Sequence, residues 1–509
     1  MDPAKRIIIN TTAQYIKAVF TTVLSLYSTR LILDALTISD YGIYTVVGGV
    51  VSMLGFITNA LVITTQRYIS VFYGKNDLSS VKSYFANSLF LHLILGALLC
   101  IVLFCLKNWL MNDVLTIPPQ RLEVANHVYS ITIIILFLTI MMAPFKALFI
   151  ARENIIYIAL IETVDAIIKL VLALGLCYIQ TDKLLFYAVI MALIVFLNFL
   201  AFSIYAFLNF KECSIIIRKG DLQRNYITQL AGFAGWTTYG MGAIAGRNQG
   251  TAVVINHFFG TTVNAAYGIA FQVNGALSFV VTSILNAMNP QIMKSEGGNN
   301  REGMLHLASL ESKYSVALLS IVTIPLIIEM HAILSFWLKE VPQYTCMFCQ
   351  FILVGFICDQ LTMGLQSANQ AMGNIRNYTL LIYTPKLIFL PIIWIMFSYG
   401  CNMVEVMWLY LIIEIGVALV RIIYTKIRVG LNAIFYIRSV ILPQVPICLS
   451  ILVVGLAIRE YFDIPFRFIL TYIISASIGI ISTWFFAMNK EEQAYAIQLI
   501  KKHICHDQS

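Results

Sequence analysis

Three charged side chains, Glu162, Asp165 and Lys169, lie at spacings of three and four residues within an otherwise apolar stretch. On an α-helix these spacings place all three groups on one face. A charge inside a bilayer costs at least ~2.5–3.5 kcal/mol, so each group needs a partner or a water-filled cavity. The pattern permits two interpretations. The groups face a cavity and bind a coupling ion, or they form an ion-pair cluster that fixes helix packing.

Arginine also occurs inside apolar stretches. Arg30 lies four residues before Asp34, and Arg247 begins the polar run completed by Asn248 and Gln249. Guanidinium groups suit bidentate binding of phosphate oxygens. One hypothesis is that Arg30 and Arg247, with the two amides, hold an anionic headgroup. The alternative is that both arginines form structural ion pairs.

Two further assignments complete the predicted site. Lys169 joins the headgroup-binding set as a third cation, and Asp359 joins Glu162 and Asp165 as a predicted ion-coupling or cavity-lining carboxyl. We predict no catalytic residue and no metal or cofactor. A G-x-x-x-x-G-K-[ST] phosphate loop and an H-E-x-x-H zinc motif are both missing, and Cys346 and Cys349 are interpreted as packing residues in an apolar helix.

The composition identifies the kind of chain that must position these groups. Of 509 residues, 60% are hydrophobic and 11% charged, whereas a soluble protein carries about 25% charged residues. A membrane-spanning helix needs ~20 apolar residues. Fourteen segments qualify, which leaves no room for a large catalytic domain outside the membrane. They are residues 11–36, 41–65, 85–107, 124–149, 154–179, 184–208, 226–250, 262–288, 306–330, 345–370, 377–398, 402–425, 436–459 and 466–487.

The distribution of basic residues predicts the orientation of these spans. With the N-terminus in the cytoplasm, 24 of the 33 Lys and Arg residues fall in cytoplasmic loops, tails or helix ends, and six fall on the far side. Cytoplasmic loops are enriched in Lys and Arg, so this orientation is favoured. Both termini are then cytoplasmic.

The two halves of the sequence share a pattern, which indicates an internal repeat. The run Tyr41-Gly42-Ile43 recurs as Tyr267-Gly268-Ile269, and each copy leads to a turn rich in Gly and Asn. A six-span unit used twice is a known transporter arrangement, with a cavity between the halves. The predicted domains are an N-terminal six-helix lobe (1–210), a cytoplasmic linker (211–225), a C-terminal six-helix lobe (226–430), an additional helix pair (431–490) and a cytoplasmic tail (491–509).

Several runs of sequence resemble the bacterial Wzx-type oligosaccharide flippases of the multidrug/oligosaccharidyl-lipid/polysaccharide (MOP) exporter superfamily. The resemblance extends from about residue 6 to residue 430. It rests on Tyr27-Ser28-Thr29-Arg30-Leu31, Asp40-Tyr41-Gly42-Ile43-Tyr44, Thr65-Gln66-Arg67-Tyr68, Phe233-Ala234-Gly235-Trp236, Asn248-Gln249-Gly250, Asn264-Ala265-Ala266-Tyr267-Gly268, Asn289-Pro290-Gln291, Trp337-Leu338-Lys339 and Ala368-Asn369-Gln370-Ala371.

This resemblance implies an all-α polytopic membrane protein with about fourteen helices, in which two pseudo-symmetric six-helix lobes enclose a central cavity and a C-terminal pair is added. It implies translocation of an undecaprenyl-diphosphate-linked oligosaccharide across the bacterial inner membrane by alternating access. Membrane lipid, a polysaccharide polymerase and glycosyltransferases are the implied partners, without nucleic acid. The alternatives are a cation-coupled multidrug exporter of the same superfamily and, third, a membrane glycan polymerase, which would need a long outer loop that the sequence lacks.

Overall fold

The chain is almost entirely helical. A computed structural model describes residues 3–52, 54–114, 117–213, 222–338, 340–462, 464–494 and 497. Sixteen α-helices and five short 3-10 or π turns cover these ranges, which contain no strand. The helices are α1 (Pro3–Ser52), α2 (Gly55–Gly74), α3 (Leu78–Trp109), α4 (Leu122–Ala151), α5 (Ile155–Gly175), α6 (Lys183–Asn209), α7 (Arg224–Gly297), α8 (Arg301–Ile328), α9 (Met330–Trp337), α10 (Thr345–Gln360), α11 (Met363–Met372), α12 (Arg376–Ser398), α13 (Met403–Val429), α14 (Ala433–Tyr436), α15 (Gln444–Tyr461) and α16 (Arg467–Ser482).

Many of these helices are suited to a bilayer. Within the described ranges, ten helical segments are long and apolar enough to cross a membrane, and α10 with α11 forms an eleventh that bends by 46°. Helix lies at each of the fourteen predicted spans, so the prediction of an all-α polytopic membrane protein is confirmed. The bent pair occupies the predicted span 345–370. Most of the predicted linker (214–221) and tail (495–496 and 498–509) lies outside the described residues.

Helix α7 is 74 residues long and contains two predicted spans. The two parts meet at Gly260, whose backbone has φ 79° and ψ −177°. Only glycine adopts this conformation readily, because a Cβ atom would clash with the neighbouring backbone. Gly260 therefore separates two consecutive spans without an intervening loop.

The described chain divides into two compact units. Unit 1 comprises residues 1–242, 289–301 and 373–376, and unit 2 comprises residues 243–288, 302–372 and 377–509. In unit 1, α1 packs against α5 and α4 packs against α6. Its buried core includes Tyr129, whose hydroxyl donates to the Leu103 carbonyl at 3.0 Å. In unit 2, α10 packs against α13, and α15 against α16.

In unit 2, charged contacts bind α16 and the segment after it to α8 and to Glu329, the residue that follows α8. Arg467 Nε donates to Glu329 Oε1 at 3.0 Å, and Thr471 donates to the same oxygen at 2.9 Å. In the middle of α8, Lys313 Nζ contacts both carboxylate oxygens of Glu492, which follows α16, at 2.8 and 2.9 Å. Because Glu329 is buried, water and salt weaken its ion pair with Arg467 less than they would weaken an ion pair on the surface.

Candidate functional site

A cavity of about 730 Å³ opens within unit 1, among α1, α4, α5 and α6. Hydroxyl groups from two of these helices provide much of its polar lining, at Thr21, Thr22, Ser25, Ser28, Thr29 and Thr139. The amide of Asn198 and the phenol of Tyr187 add further donors and acceptors. Apolar side chains such as Met142 and Phe202 complete the wall. The cavity therefore combines an apolar wall with several groups that can form hydrogen bonds with a polar ligand.

Five charged side chains line this cavity. Lys17 Nζ lies 2.7 Å from Glu162 Oε2, and Lys146 Nζ lies 3.0 Å from Glu162 Oε1. One helical turn away, Lys169 Nζ lies 2.7 Å from Asp165 Oδ2. Three ammonium groups face two carboxylates, so the lining carries a formal excess of one positive charge. This excess favours an anionic ligand.

The two carboxylates of α5, Glu162 and Asp165, have different ion-pair and hydrogen-bond partners. Each oxygen of Glu162 already has an ammonium partner. Asp165 accepts a hydrogen bond from Asn198 Nδ2 at 2.7 Å in addition to its contact with Lys169. Lys169 is the most accessible of the three lysines, with 36% of its side chain exposed. Of these five groups, Lys169 is therefore the one best placed to meet an incoming anion.

The long α1–α5 contact explains how these residues meet. Glu162, Asp165 and Lys169 share one face of α5, as their spacing predicts, and all three line the cavity. That face packs along α1, which brings Lys17 across from Glu162 although 145 residues separate them. The structure thus shows both a cavity-facing stripe and internal ion pairs, and the role of the stripe stays a prediction.

A second group of charges is buried in unit 2. Arg247 Nη1 donates to Glu414 Oε1, and Lys386 Nζ lies 2.7 Å from Glu414 Oε2. Lys386 Nζ also lies 3.2 Å from Asp359 Oδ1, which Arg421 Nη2 contacts at 3.2 Å. Three cations and two carboxylates therefore form one connected network. At most 8% of any side chain in it is exposed, except for Asp359 at 20%.

Aromatic and backbone groups complete the surroundings of the buried network. The Arg247 guanidinium lies 5.1 Å from the centre of the Tyr410 ring, a cation–π distance. Arg421 Nη1 donates to the Asp359 carbonyl at 3.2 Å and to Thr362 Oγ1 at 2.9 Å. The two carboxylates of this network are therefore paired with lysine and arginine side chains of the protein.

The remaining predicted site residues lie in different settings. Arg30 and Asp34 are exposed in unit 1, and Arg30 does not line the cavity that Lys169 lines. Asn248 is partly buried and accepts a hydrogen bond from Arg247 Nε at 3.3 Å. Gln249 is exposed. The polar run in α7 thus splits between a buried ion pair and a solvent- or lipid-facing amide.

Three lysines of these sites were not identified as site residues from the sequence. Lys17, Lys146 and Lys386 were counted among the basic residues of helix ends and loops, yet the first two line the cavity and the third is buried in the middle of α12. Two of the three have a proline nearby, since Pro144 precedes Lys146 by two residues and Pro385 directly precedes Lys386, whereas Lys17 has none. Proline in a membrane helix marks a place where protein or water must satisfy freed backbone groups.

No protein-family model matches the sequence, and no curated protein matches it. Solved structures share its fold at low identity. A MOP superfamily transporter from Pyrococcus furiosus, described as having a binding pocket of reversed polarity that suggests a different function, superposes with a TM-score of 0.72 at 14% identity over 84% of this chain and 96% of its own.

Two further solved structures give the same result. A MATE transporter in complex with MaL6 has a TM-score of 0.72 at 15% identity, covering 84% of this chain and 97% of its own. The outward-facing conformation of a multidrug resistance MATE family transporter of the MOP superfamily has a TM-score of 0.72 at 14% identity, covering 84% and 96%. The chain therefore has the fold of MOP superfamily transporters.

Proposed function

We propose that this chain is a transporter that moves an undecaprenyl-diphosphate-linked oligosaccharide across the bacterial inner membrane by alternating access. The observation that carries the proposal is the cavity of unit 1, with three ammonium groups, two carboxylates and a wall rich in hydroxyls. A diphosphate bound to sugars cannot cross hydrocarbon unaided, because its charges and hydroxyls would lose their hydration. It needs a path that replaces water with fixed polar groups.

The chemistry of the lining suits both parts of such a headgroup. Ammonium groups attract phosphate oxygens, and serine and threonine hydroxyls both donate to and accept from sugar hydroxyls. A volume of about 730 Å³ lies within the range of ~300–1,000 Å³ typical of small-molecule sites, and accommodates a headgroup whose lipid tail remains in the bilayer.

In this proposal the predicted site residues keep distinct roles. Lys169, Arg30, Arg247, Asn248 and Gln249 remain the predicted headgroup-binding set, of which Lys169 alone lines the unit 1 cavity, and we add Lys17 and Lys146 of that cavity to the candidates. Glu162, Asp165 and Asp359 remain the predicted ion-coupling or cavity-lining carboxyls. A polysaccharide polymerase and glycosyltransferases are the proposed partners in the pathway, and both termini are proposed to be cytoplasmic.

The alternative is a cation-coupled exporter of small molecules with the same fold. The MATE structures favour it, one of which is described as a multidrug resistance transporter. A cationic drug, however, would meet the three ammonium groups of the unit 1 cavity, whose two carboxylates are already paired. The excess positive charge of the lining therefore favours an anionic substrate over a cationic one.

A paired assay in cells and liposomes tests the choice. We expect deletion of the gene to cause accumulation of short lipid-linked repeat units inside the cell. Purified protein in liposomes should translocate a fluorescent undecaprenyl-diphosphate-linked sugar, and Lys169→Gln should reduce the rate at least about tenfold, a loss of ~1.4 kcal/mol. Lys490→Gln, an exposed lysine, is the control. Drug tolerance on expression, with no translocation of the lipid, would instead support the exporter.

A further inference from the structure

One buried carboxyl group in the described chain has no cation beside it. Five glutamate side chains are buried in the described ranges: Glu153, Glu212, Glu311, Glu329 and Glu414. Four of them form ion pairs, with Lys294, Arg152, Arg467 and the Arg247–Lys386 couple respectively. Glu311 forms none. Glu311 is therefore the exception among the five buried glutamates, and its burial needs an explanation other than an ion pair.

Glu311 lies in the middle part of α8, a candidate membrane span, and none of its surface is exposed. Its Oε1 accepts a hydrogen bond from Ser367 Oγ of α11 at 2.8 Å. Its Oε2 has no hydrogen-bond partner among the described residues. One helical turn further along α8, the hydroxyl of Ser315 is also buried without a partner. Among the described residues, a single hydroxyl is therefore the hydrogen-bond partner of this carboxyl group.

The charged groups on the elements near Glu311 have other partners. The Tyr436 phenol lies close enough to interact electrostatically with both Glu311 and Arg421, and donates its proton to the Leu361 carbonyl at 2.7 Å. Arg421 itself binds Asp359. On α8, the ammonium group of Lys313 is held by Glu492.

From α15, Gln444 Nε2 donates to the Lys313 carbonyl at 3.1 Å, while its Oε1 has no partner. No positively charged group in the described part of the chain therefore offsets an ionised Glu311. Burying an isolated carboxylate is so costly that the group takes up a proton instead. As a neutral acid, Glu311 needs no counter-ion.

We propose that Glu311 is a proton-binding site that couples transport to a proton gradient. In the conformation described here the carboxyl group holds its proton. When α8 moves relative to α11 and water reaches the side chain, the O–H bond breaks, the proton passes to water and a carboxylate remains. The coupling rests on the proposed transport function, whereas the protonation of Glu311 does not.

A purely structural role predicts something different. Glutamine has the same size as glutamic acid and accepts the Ser367 hydrogen bond, so Glu311→Gln should preserve folding and packing. It cannot exchange a proton. The substitution therefore separates support of the α8–α11 contact, which it leaves in place, from proton binding, which it removes.

Infrared spectroscopy of the full-length protein in liposomes reads the protonation directly. We expect a carbonyl stretching band of a protonated carboxylic acid at neutral pH, shifted on exchange into D₂O, and lost in Glu311→Gln. Glu302→Gln removes an exposed carboxyl group from the same helix and should leave the band unchanged. A wild-type spectrum without the band at neutral pH, or a band that survives in Glu311→Gln, would overturn the proposal.

Transport in the same liposomes tests the coupling. A pH gradient should accelerate translocation of the fluorescent lipid-linked sugar by wild-type protein. Glu311→Gln should keep translocation down the lipid's own gradient and lose the acceleration. If the variant still responds to pH, or if only a sodium gradient drives the wild type, coupling through Glu311 is wrong. If no substrate is moved by any variant, the proposed function fails while the infrared result still stands.

Discussion

Gly74, the last residue of α2, and Gly297, the last residue of α7, are each packed against the backbone of the other helix. A Cβ atom on Gly74 would lie 2.0 Å from the Lys294 carbonyl oxygen, and one on Gly297 would lie 1.9 Å from the Val71 carbonyl oxygen. All four residues belong to unit 1. The two helix ends thus approach so closely that neither tolerates a side chain larger than hydrogen.

This contact predicts that Gly74→Ala and Gly297→Ala each force the ends of α2 and α7 apart. Backbone atoms cannot move aside as a flexible side chain can, so we expect each variant to lower the melting temperature of the detergent-solubilised protein, with an overpacking cost of ~1–3 kcal/mol. Gly416→Ala in α13 meets no atom within 4 Å and is the matched control. Because alanine favours helix, the control should be neutral or slightly stabilising.

A second prediction concerns the charges beside this contact. Lys294 Nζ and Gln291 Nε2 of α7 both donate to the carboxylate of Glu153, and Asn10 Nδ2 of α1 donates to its carbonyl at 3.1 Å. Glu153→Gln should leave Lys294 without its counter-ion and expose the α7 end. Ser295→Cys, in the same last turn of α7, leaves Lys294 in place, and this cysteine should react faster with a water-soluble thiol reagent when Glu153 is also replaced by glutamine. Equal rates in the two backgrounds would show that the ion pair does not hold the helices together.

A third prediction concerns the buried network of unit 2. Glu414→Gln removes the charge that Arg247 and Lys386 share. Removing one partner of a buried ion pair costs ~3–5 kcal/mol, because the remaining charge keeps its desolvation penalty. We expect a large fall in melting temperature. Glu405→Gln lies on the exposed first turn of the same helix, where glutamine also completes the capping box with Asn402, and should change stability by less than ~0.5 kcal/mol.

The ease of prediction differed between contacts within one helix and contacts between helices. Glu162, Asp165 and Lys169 share a face because of helical geometry alone, which their spacing in the sequence expresses. Lys17, one of the two partners of Glu162, is 145 residues away from it, and Glu414 is 167 residues away from Arg247, so these contacts depend on which helices pack together. No periodic pattern contains that information.

Glu311 illustrates the same limit from the opposite direction. In the sequence, Glu311 lies in the same stretch as Glu302 and Lys313, and three such charged residues are typical of an ordinary solvent-facing side of a helix. Only the packing of α8 against α11 shows that this one carboxyl group is enclosed and lacks a cation. The helical, membrane-spanning character of the chain, in contrast, follows from apolar composition, although the bounds differ, since the predicted span 41–65 is divided between α1 and α2.

A fourth prediction concerns pH. Glu212 follows α6 and accepts hydrogen bonds from Tyr73 Oη at 2.6 Å and from Arg152 Nη2 at 2.6 and 2.7 Å. Burial acts to raise the pKa of Glu212, but these donors outweigh it and hold the pKa below its ordinary value of about 4.5. The stabilisation is therefore complete above about pH 4.5 and is lost as the pH falls through the lowered pKa.

Thermal unfolding of wild type and Glu212→Gln as a function of pH measures this contribution. At pH 7 the wild type should be more stable by ~1–3 kcal/mol, the range for hydrogen bonds to charged groups. The difference should shrink as the solution becomes acidic, since both side chains are then neutral. A difference that stays constant with pH would mean that the charge of Glu212 does not contribute.

The ion pairs that join α8 to the end of the chain bear on how far the protein can be shortened. A version ending after α13 would strip Glu329 of Arg467 and Thr471, and Lys313 of Glu492. It would also expose the surfaces of Ile328 and Ile321 that Gly455 and Gly479 cover. Two charged groups without partners and a newly exposed apolar surface would destabilise the packing of α8, the helix that contains Glu311. The terminal helices are therefore an integral brace, and minimal versions built on the first twelve spans should misfold or be degraded.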